Sequence, residues 1–196
     1  MILYCATTNP GKLQEFQMAG KAYGFEIQPV PGLVNIPPPD ETGRSFEENA
    51  ILKATYYSRF AGQPVFADDS GLEVDALDGR PGVLSARYAG DNATDEANNQ
   101  RLLNELRGVS DRRARFVCVI AVARGGRLLK TYRGAVEGRI LDEPRGANGF
   151  GYDPLFFHEP FGCTFGEAPP EMKMRVSHRG EALRAMLADF AAAGVP

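Results

Sequence analysis

Two hydrophobic periods divide the chain into strands and helices. Residues 2–6 and 64–67 are short apolar runs followed by polar residues or glycine, which is typical of buried strands. Residues 116–123 form an almost continuous apolar run, which residues 128–136 follow across Gly125-Gly126, a pair that predicts a tight hairpin. Because the first hairpin strand is apolar on both faces, we expect it at the centre of a sheet with helices on each side.

Apolar residues also recur at helical spacing. Asn9 before Pro10 predicts the cap of a first helix, and Ser45 with Glu48 predicts a capping box at the start of a second. A third helix is expected over about residues 94–106, and Ser177 suits the cap of the last. The predicted buried stripes are Leu13, Phe16, Gly20 and Tyr23, then Phe46, Ala50, Ala54, Tyr57 and Ala61, and finally Ala182, Leu183, Met186, Leu187 and Phe190. Strands interleaved with helices predict an α/β fold.

The composition is that of a globular protein without basic excess. The length of 196 residues predicts one domain or two tightly joined lobes over 1–196. Hydrophobic residues are 43% and charged residues 24%, ordinary globular values that argue against global disorder. A formal net charge of -3 argues against non-specific nucleic-acid binding. The apolar N-terminal run is too short for a signal peptide or a membrane span. Three widely spaced cysteines without a C-x-x-C pair predict a reducing, cytoplasmic location and no zinc site.

The strongest chemical signal is the adjacent carboxylates Asp68 and Asp69 at the end of the second apolar run. We predict that this strand delivers them into a turn at Ser70-Gly71. Side chains alternate along a strand, so only one of the two is expected to enter a small site. A solvated acidic turn is the alternative interpretation.

A second signal lies at the first helix. Its N-terminus combines unpaired backbone amides, hydroxyl groups and a lysine, an arrangement that favours phosphate. The residues concerned are Thr7, Thr8, Asn9, Pro10, Gly11 and Lys12. A P-loop would need Gly at Ala6 and Ser or Thr at Leu13, so the segment is not one. An ordinary capped helix with a surface lysine is the alternative.

Further candidates flank these two. Glu41 and Lys53 would face the acidic pair if the second helix packs on that strand, although a solvated Lys53 is the default. Phe150 lies between two glycines, where a planar ligand could stack on it or where it could simply be a core residue. His178 and Arg179 oppose the dipole of the last helix, which is more often functional than accidental.

Several blocks, in order, resemble the Ham1/RdgB inosine triphosphate pyrophosphatases, which hydrolyse dITP, ITP and XTP to the monophosphate and pyrophosphate. They are ATTNPGK at 6–12, ETGRSFEENAILKA at 41–54, ADDSGL at 67–72, PGVLSARYAG at 81–90, GFGYDP at 149–154 and SHR at 177–179. The resemblance implies a magnesium-dependent homodimer with a long mixed sheet and two lobes around a central cleft. The net charge and the short N-terminal apolar run predict no nucleic-acid and no membrane partner.

By matching position, the resemblance also implies roles. Glu41 and Asp69 would bind Mg²⁺, and Asp69 would accept the proton of the attacking water. The segment 7–12 with Lys53 and Lys173 would bind the phosphates. Further substrate contacts would come from Ser70, Arg87, Phe150, Gly151, Tyr152, Asp153, His178 and Arg179.

Hydrogen-bond polarity then predicts the choice of base. Arg179, and His178 if a donor nitrogen faces inward, would donate to the 6-oxo group of hypoxanthine or xanthine. Adenine presents an amino donor there and should be refused, whereas the exclusion of GTP stays open. Two alternatives remain at this point: a Maf-like nucleotide pyrophosphatase and a non-catalytic sensor of Mg-bound nucleotides.

Overall fold

The computed structural model describes residues 1–195 as a seven-stranded mixed sheet with helices on both faces. The strand order is β2-β1-β3-β4-β5-β6-β7. The strands are β1 Ile2–Cys5, β2 Glu26–Pro29, β3 Val65–Val74, β4 Arg113–Arg124, β5 Arg127–Ile140, β6 Phe156–His158 and β7 Cys163–Thr164. The helices are α1 Pro10–Ala22, α2 Phe46–Tyr57, α3 Asp95–Glu105, α4 Pro170–Val176 and α5 His178–Ala193. The predicted mixed sheet flanked by helices is confirmed, while its division into two lobes stays a prediction.

Strand β4 lies in the middle of the sheet, as its two apolar faces predict. Its residues alternate between two cores. Cys118, Ile120 and Val122 pack with α1 and α5, whereas Val117, Val119, Ala121 and Ala123 pack with α2. The hairpin to β5 turns at Gly125 and Gly126, both at positive φ as a tight primed turn requires.

The predicted turn at Ser70-Gly71 is wrong. Strand β3 continues through both residues to Val74 and pairs with β4 along its whole length. Glycine is needed at 71 for close packing instead, because a Cβ there would lie 2.4 Å from the Ser85 Oγ and 2.6 Å from the Gly82 carbonyl oxygen. Asp68 and Asp69 therefore belong to an uninterrupted strand and point to its opposite faces.

The predicted helix starts are right, but some details at the ends differ. Asn9, Ser45, Thr94 and Ser177 are the N-caps, and each side chain accepts a backbone N–H. The Glu48 carboxylate accepts the N–H of Arg44 and not that of Ser45, so the capping box closes one residue early. Helix α1 ends at Ala22 and α2 at Tyr57, which leaves the predicted stripe residues Tyr23 and Ala61 outside both helices. Within residues 1–195, no helix combines the length and hydropathy that a membrane crossing requires.

Gly134 of β5 allows the start of α5 to approach the sheet. A Cβ there would lie 2.1 Å from the His178 carbonyl oxygen and 2.8 Å from the Ala182 nitrogen. Because backbone atoms cannot yield as a flexible side chain does, Gly134→Ala should lower the free energy of unfolding by about 2 kcal/mol in urea. Gly62→Ala, where nothing lies within 4 Å of the new methyl group, is the control and should change it by less than about 0.5 kcal/mol. Equal stability of the two variants would contradict this packing.

Candidate active site

A cavity of about 430 Å³ opens beside β3. Strand β1 pairs with β3 only at Val65 and Phe66, and the chain then turns away into α1. The edge of β3 that carries the acidic pair is therefore free of a strand on this side. The cavity collects most predicted site residues, namely Asn9, Lys12, Glu41, Lys53, Asp69, Ser70, Arg87, Phe150, Gly151, Tyr152, Asp153, Lys173, His178 and Arg179. Thr7, Thr8, Pro10 and Gly11 are outside its lining.

On one face of β3, Asp69 forms a carboxylate pair with Glu41 around a single ammonium group. The Lys53 Nζ lies 2.9 Å from the Asp69 Oδ1 and 3.3 Å from the Glu41 Oε2. Burial raises the pKa of Asp69, although the charge of Lys53 opposes the shift. Lys53 is thus paired, and the default of a solvated lysine is wrong. Two carboxylates that already share one cation have the hard oxygen donors that Mg²⁺ prefers.

On the other face, Asp68 is paired with two cations. The Lys12 Nζ lies 2.9 Å from its Oδ2, and the Arg179 Nε lies 3.6 Å from the same oxygen. Burial alone would raise the pKa of Asp68, but the charges of Lys12 and Arg179 hold it well below its usual range. The expectation that only one of the adjacent carboxylates enters the cavity is supported, because Asp69 lines it and Asp68 does not.

Glu15 of α1 is the functional candidate that the sequence analysis missed. Its buried carboxylate accepts a hydrogen bond from the Lys173 Nζ, with 2.8 Å between Nζ and Oε1, and also forms an ion pair with the Arg179 guanidinium group. Lys173 also contacts the Asp153 Oδ2 at 2.6 Å. The available signal was a carboxylate directly beside Phe16 in the apolar stripe of α1, where a charge is costly without a partner. Lys173 and Arg179 are therefore neutralised within the protein by Glu15, Asp153 and Asp68.

The Phe150 ring packs against this network. The Lys173 Nζ lies 5.1 Å from the ring centroid and the Arg179 Cζ lies 5.5 Å from it. On another side, a Cβ at Gly11 would lie 2.6 Å from the ring. Gly11 is therefore required for the close approach of Phe150. The resemblance had instead assigned Gly11 to phosphate binding.

The hydrogen bonds at the start of α1 are largely local. The Thr7 Oγ1 accepts the N–H of Asn9, and the Asn9 Oδ1 accepts the N–H of Lys12. Lys12 itself is paired with Asp68. Asn9 and Lys12 reach the cavity, so this helix end contributes one amide side chain and one cation to it.

His178 stacks on Phe116 with ring centroids 4.7 Å apart and an interplanar angle of 13°. Burial, together with the charges of Arg179 and Lys173, holds the pKa of His178 well below its ordinary value. The imidazole is therefore neutral at physiological pH. In residues 1–195, the His178 Nδ1 and the Arg179 Nε are the buried side-chain nitrogens without a hydrogen-bond partner, and both residues line the cavity.

A depressed histidine pKa predicts a loss of stability on acidification. The unfolded chain binds a proton at His178 near pH 6.5 and the folded chain does not, so stability falls as the pH drops through that value. Between pH 6.5 and 5.5, the native protein should lose about 1 kcal/mol more than His178→Phe, which keeps a ring against Phe116. Urea unfolding at several pH values measures this difference. Parallel profiles for the two proteins would contradict a neutral His178.

Comparison with known proteins identifies the family. The profile of the Ham1 family matches residues 3–189. The chain belongs to the Ham1 family. Among curated relatives of this family, a dITP/XTP pyrophosphatase of Exiguobacterium is 50% identical over 190 residues and covers 97% of each chain. The enzyme of the same name from Geobacter sulfurreducens is 50% identical over 189 residues, which are 95% of this chain and 94% of the relative.

Solved Ham1 structures share the fold. The Ham1 protein of Staphylococcus aureus superposes with a TM-score of 0.86 at 41% identity, over 98% of this chain and 99% of that one. A Ham1 protein of Coxiella burnetii gives a TM-score of 0.88 at 40% identity, over 98% of this chain and 100% of that one. The family resemblance and the α/β architecture expected from the sequence are thus both confirmed.

Proposed function

We propose that this protein is a nucleoside triphosphate pyrophosphatase that hydrolyses non-canonical purine nucleotides (dITP, ITP and XTP) to the monophosphate and pyrophosphate. Relatives with about half of their residues identical and nearly full coverage carry the name dITP/XTP pyrophosphatase. The observation that carries the proposal is that one cavity is lined both by the Glu41 and Asp69 carboxylates and by the side chains of His178 and Arg179. The first pair suits a metal-bound phosphate and the second suits a base.

The base end of the cavity supports recognition of a 6-oxopurine. Phe150 offers an aromatic face. Arg179 can donate only, and a neutral His178 can donate from one ring nitrogen. The 6-oxo group accepts such hydrogen bonds, whereas the 6-amino group of adenine is itself a donor. Donors that face donors in a buried site lose their hydrogen bonds to water without replacement, which costs on the order of several kcal/mol.

The phosphate end combines anionic and cationic groups. Glu41 and Asp69 would hold Mg²⁺, and when bound the ion would neutralise charge on the phosphate oxygens. Lys12 and Lys53 each lie in the cavity wall beside a carboxylate. When the substrate binds, each ammonium group could replace part of its contact with the carboxylate by a contact with phosphate oxygens and so remain paired with an anion. Lys173, which the resemblance assigns to the phosphates, lies beside the Phe150 ring at the base end. Arg87 is exposed on the wall of the cavity and adds a further cation for the substrate.

For the reaction, we assign Asp69 as the proton acceptor. A water oxygen attacks the α-phosphorus, the bond to the bridging oxygen of the β-phosphate breaks, and pyrophosphate leaves. The water proton passes to the Asp69 carboxylate. A carboxyl group whose pKa is raised by burial is a stronger base than an exposed one, and Lys53 and Asn49 orient it through contacts of 2.9 and 3.4 Å.

The direct test is a panel of nucleoside triphosphates incubated with Mg²⁺. Pyrophosphate and orthophosphate are quantified separately, together with the nucleoside monophosphate. We expect equal amounts of pyrophosphate and monophosphate from ITP, dITP and XTP, and little product from ATP. Binding without product would indicate a sensor, and preference for canonical or modified pyrimidine nucleotides would indicate Maf-like activity.

Arg179→Ala should narrow the preference for ITP over ATP. Without Arg179, ITP loses a charge-assisted hydrogen bond to its 6-oxo group, so kcat/KM for ITP should fall about tenfold or more. ATP loses no hydrogen bond, and its 6-amino group is no longer placed against a donor. Arg175→Ala, an exposed arginine of α4, is the control and should keep the ratio. Circular dichroism of both variants checks that the fold is retained. An unchanged ratio of ITP to ATP turnover in Arg179→Ala would place base recognition elsewhere.

The assembly and location follow from the same proposal. We propose a homodimer in the cytoplasm, where the nucleotide pool would be its substrate. Cys5, Cys118 and Cys163 are free thiols, which suits a reducing compartment. Light scattering coupled to size-exclusion chromatography would give the mass in solution, and a mass of one chain at micromolar concentration would contradict the dimer.

A further inference from the structure

Helix α3 contacts the loop 150–153 in the wall of the cavity. The Asp95 Oδ2 accepts the N–H of Gly151 at 2.7 Å, and the Asn99 Nδ2 donates to the carbonyl oxygen of Gly151 at 3.1 Å. Asp95 is the first residue of α3 and Asn99 follows one turn later, so both side chains lie on one face of the helix. Both polar groups of a single backbone residue are therefore bound by side chains more than 50 positions away in the sequence.

The two side chains have opposite and specific hydrogen-bond roles. Asp95 supplies an acceptor to an N–H group, and Asn99 supplies a donor to a carbonyl group. The Asn99 Oδ1 is buried and has no hydrogen-bond partner within residues 1–195, so the donor is the only group that this amide uses. Burying the Asn99 Oδ1 without a hydrogen-bond partner lowers the stability of the folded protein. We take the hydrogen bond from the Asn99 Nδ2 to Gly151 as the interaction that compensates for this loss.

These contacts orient the residues on either side of Gly151. Phe150 precedes it and packs on Lys173 and Arg179, as described above. Tyr152 follows it and donates its hydroxyl group to the Ser85 carbonyl oxygen at 2.7 Å, on the same wall as α3. Gly151 has a φ of +63°, a conformation that L side chains rarely adopt, so the loop needs glycine at this position for its backbone conformation.

We propose that Asp95 and Asn99 are positioning residues that fix the loop 150–153 for the purine base. The proposal rests on the proposed function, because it assigns the loop to the base of the nucleotide. Neither residue contacts Asp69, Glu41 or Lys53 through a hydrogen bond or an ion pair of the described chain. Loss of either contact should therefore weaken nucleotide binding and base discrimination while leaving the chemical step unchanged.

Reciprocal exchange of Asp and Asn tests this directly. Asp95→Asn keeps an acceptor for the Gly151 N–H and should keep KM for ITP within about twofold of the native value. Asn99→Asp replaces the donor by an acceptor that faces a carbonyl oxygen, and should raise KM for ITP about tenfold with kcat within about twofold. Asp95→Ala, which removes the acceptor, should behave like Asn99→Asp. The ratio of ITP to ATP in kcat/KM should fall in the same two variants.

Matched controls lie on the same helix. Asn104→Asp makes the same chemical change at an exposed position of α3, and Glu96→Ala removes the carboxylate next to Asp95. Both should retain the native KM. The proposal is overturned if the two reciprocal exchanges have the same effect, if KM is unchanged in Asn99→Asp, or if kcat falls as much as kcat/KM.

Hydrogen exchange separates this proposal from the proposed function. The peptide that contains Gly151 should exchange faster in Asn99→Asp and Asp95→Ala than in the native protein, and at the native rate in Asp95→Asn. This measurement needs no turnover. If the native protein releases no pyrophosphate from ITP, the proposed function fails; if exchange is the same in all variants, the positioning role fails whatever the activity.

Discussion

Asp69→Asn should keep the native fold and lose at least about 100-fold in kcat for ITP with Mg²⁺. The amide has nearly the shape of the carboxylate, and residue 69 stays paired with Val119 in the middle of β3. Its oxygen can still accept from Lys53, so packing and register are retained. The variant lacks the anion that would take the water proton and the charge that would hold the metal, and the effects of both losses fall on the chemical step.

The measurements for Asp69→Asn separate chemistry from folding. Pyrophosphate release gives kcat, calorimetry with Mg²⁺ gives the affinity for the ion, and urea unfolding gives the stability. Asp91→Asn makes the same change at an exposed position and should retain activity. Turnover within a few fold of the native value would remove Asp69 as the base, and unchanged Mg²⁺ affinity would remove it as a ligand. Normal turnover with weakened Mg²⁺ binding would keep only the ligand role.

Glu15→Gln should lower the free energy of unfolding by about 3 to 5 kcal/mol. The carboxylate of Glu15 is buried and contacts both Lys173 and Arg179. Burial alone would raise the pKa of Glu15, but the charges of Arg179 and Lys173 lower it, so the group is ionised in the folded protein. Replacing it by a neutral amide leaves two buried cations short of one anion, which is the situation that makes broken buried ion pairs costly.

An exposed ion pair provides the control. Glu159→Gln removes the partner of Arg139, where the side chains are 64% and 44% exposed, and should cost less than about 1 kcal/mol. Urea unfolding with an unchanged m-value measures both effects. A typical domain has a total stability of about 5 to 15 kcal/mol, so the folded form of Glu15→Gln should remain measurable. Equal costs for the two variants would show that the Glu15 network is not a stabilising element.

Much of the local structure could be predicted from the chain alone. The caps Asn9 and Ser177, the glycine hairpin and the central position of β4 follow from patterns over a few residues, because backbone geometry and capping depend on near neighbours. The turn predicted at Ser70-Gly71 failed for the opposite reason. Gly71 is a glycine because Ser85 and Gly82 approach it from a distant segment, which no local pattern indicates.

The residues of the candidate site could be predicted from the sequence, but the ion pairs and packing contacts between them could not. The family blocks identified most of the residues that line the cavity. They did not indicate that Lys12 pairs with Asp68 or that Phe150 needs Gly11 beneath it. Nor did they point to Glu15, whose partners are 158 and 164 positions away.

The amino-acid sequence by itself determined the family, the longest strands and helices, and the chemical groups available to the site, but not the short elements β2, β6, β7 and α4. Only the tertiary structure decided which charges neutralise one another and which side chains line one cavity. The physical reason is that ion pairing and burial depend on distances between residues remote along the chain. Those distances exist only after the sheet has placed β3, α1 and α5 side by side.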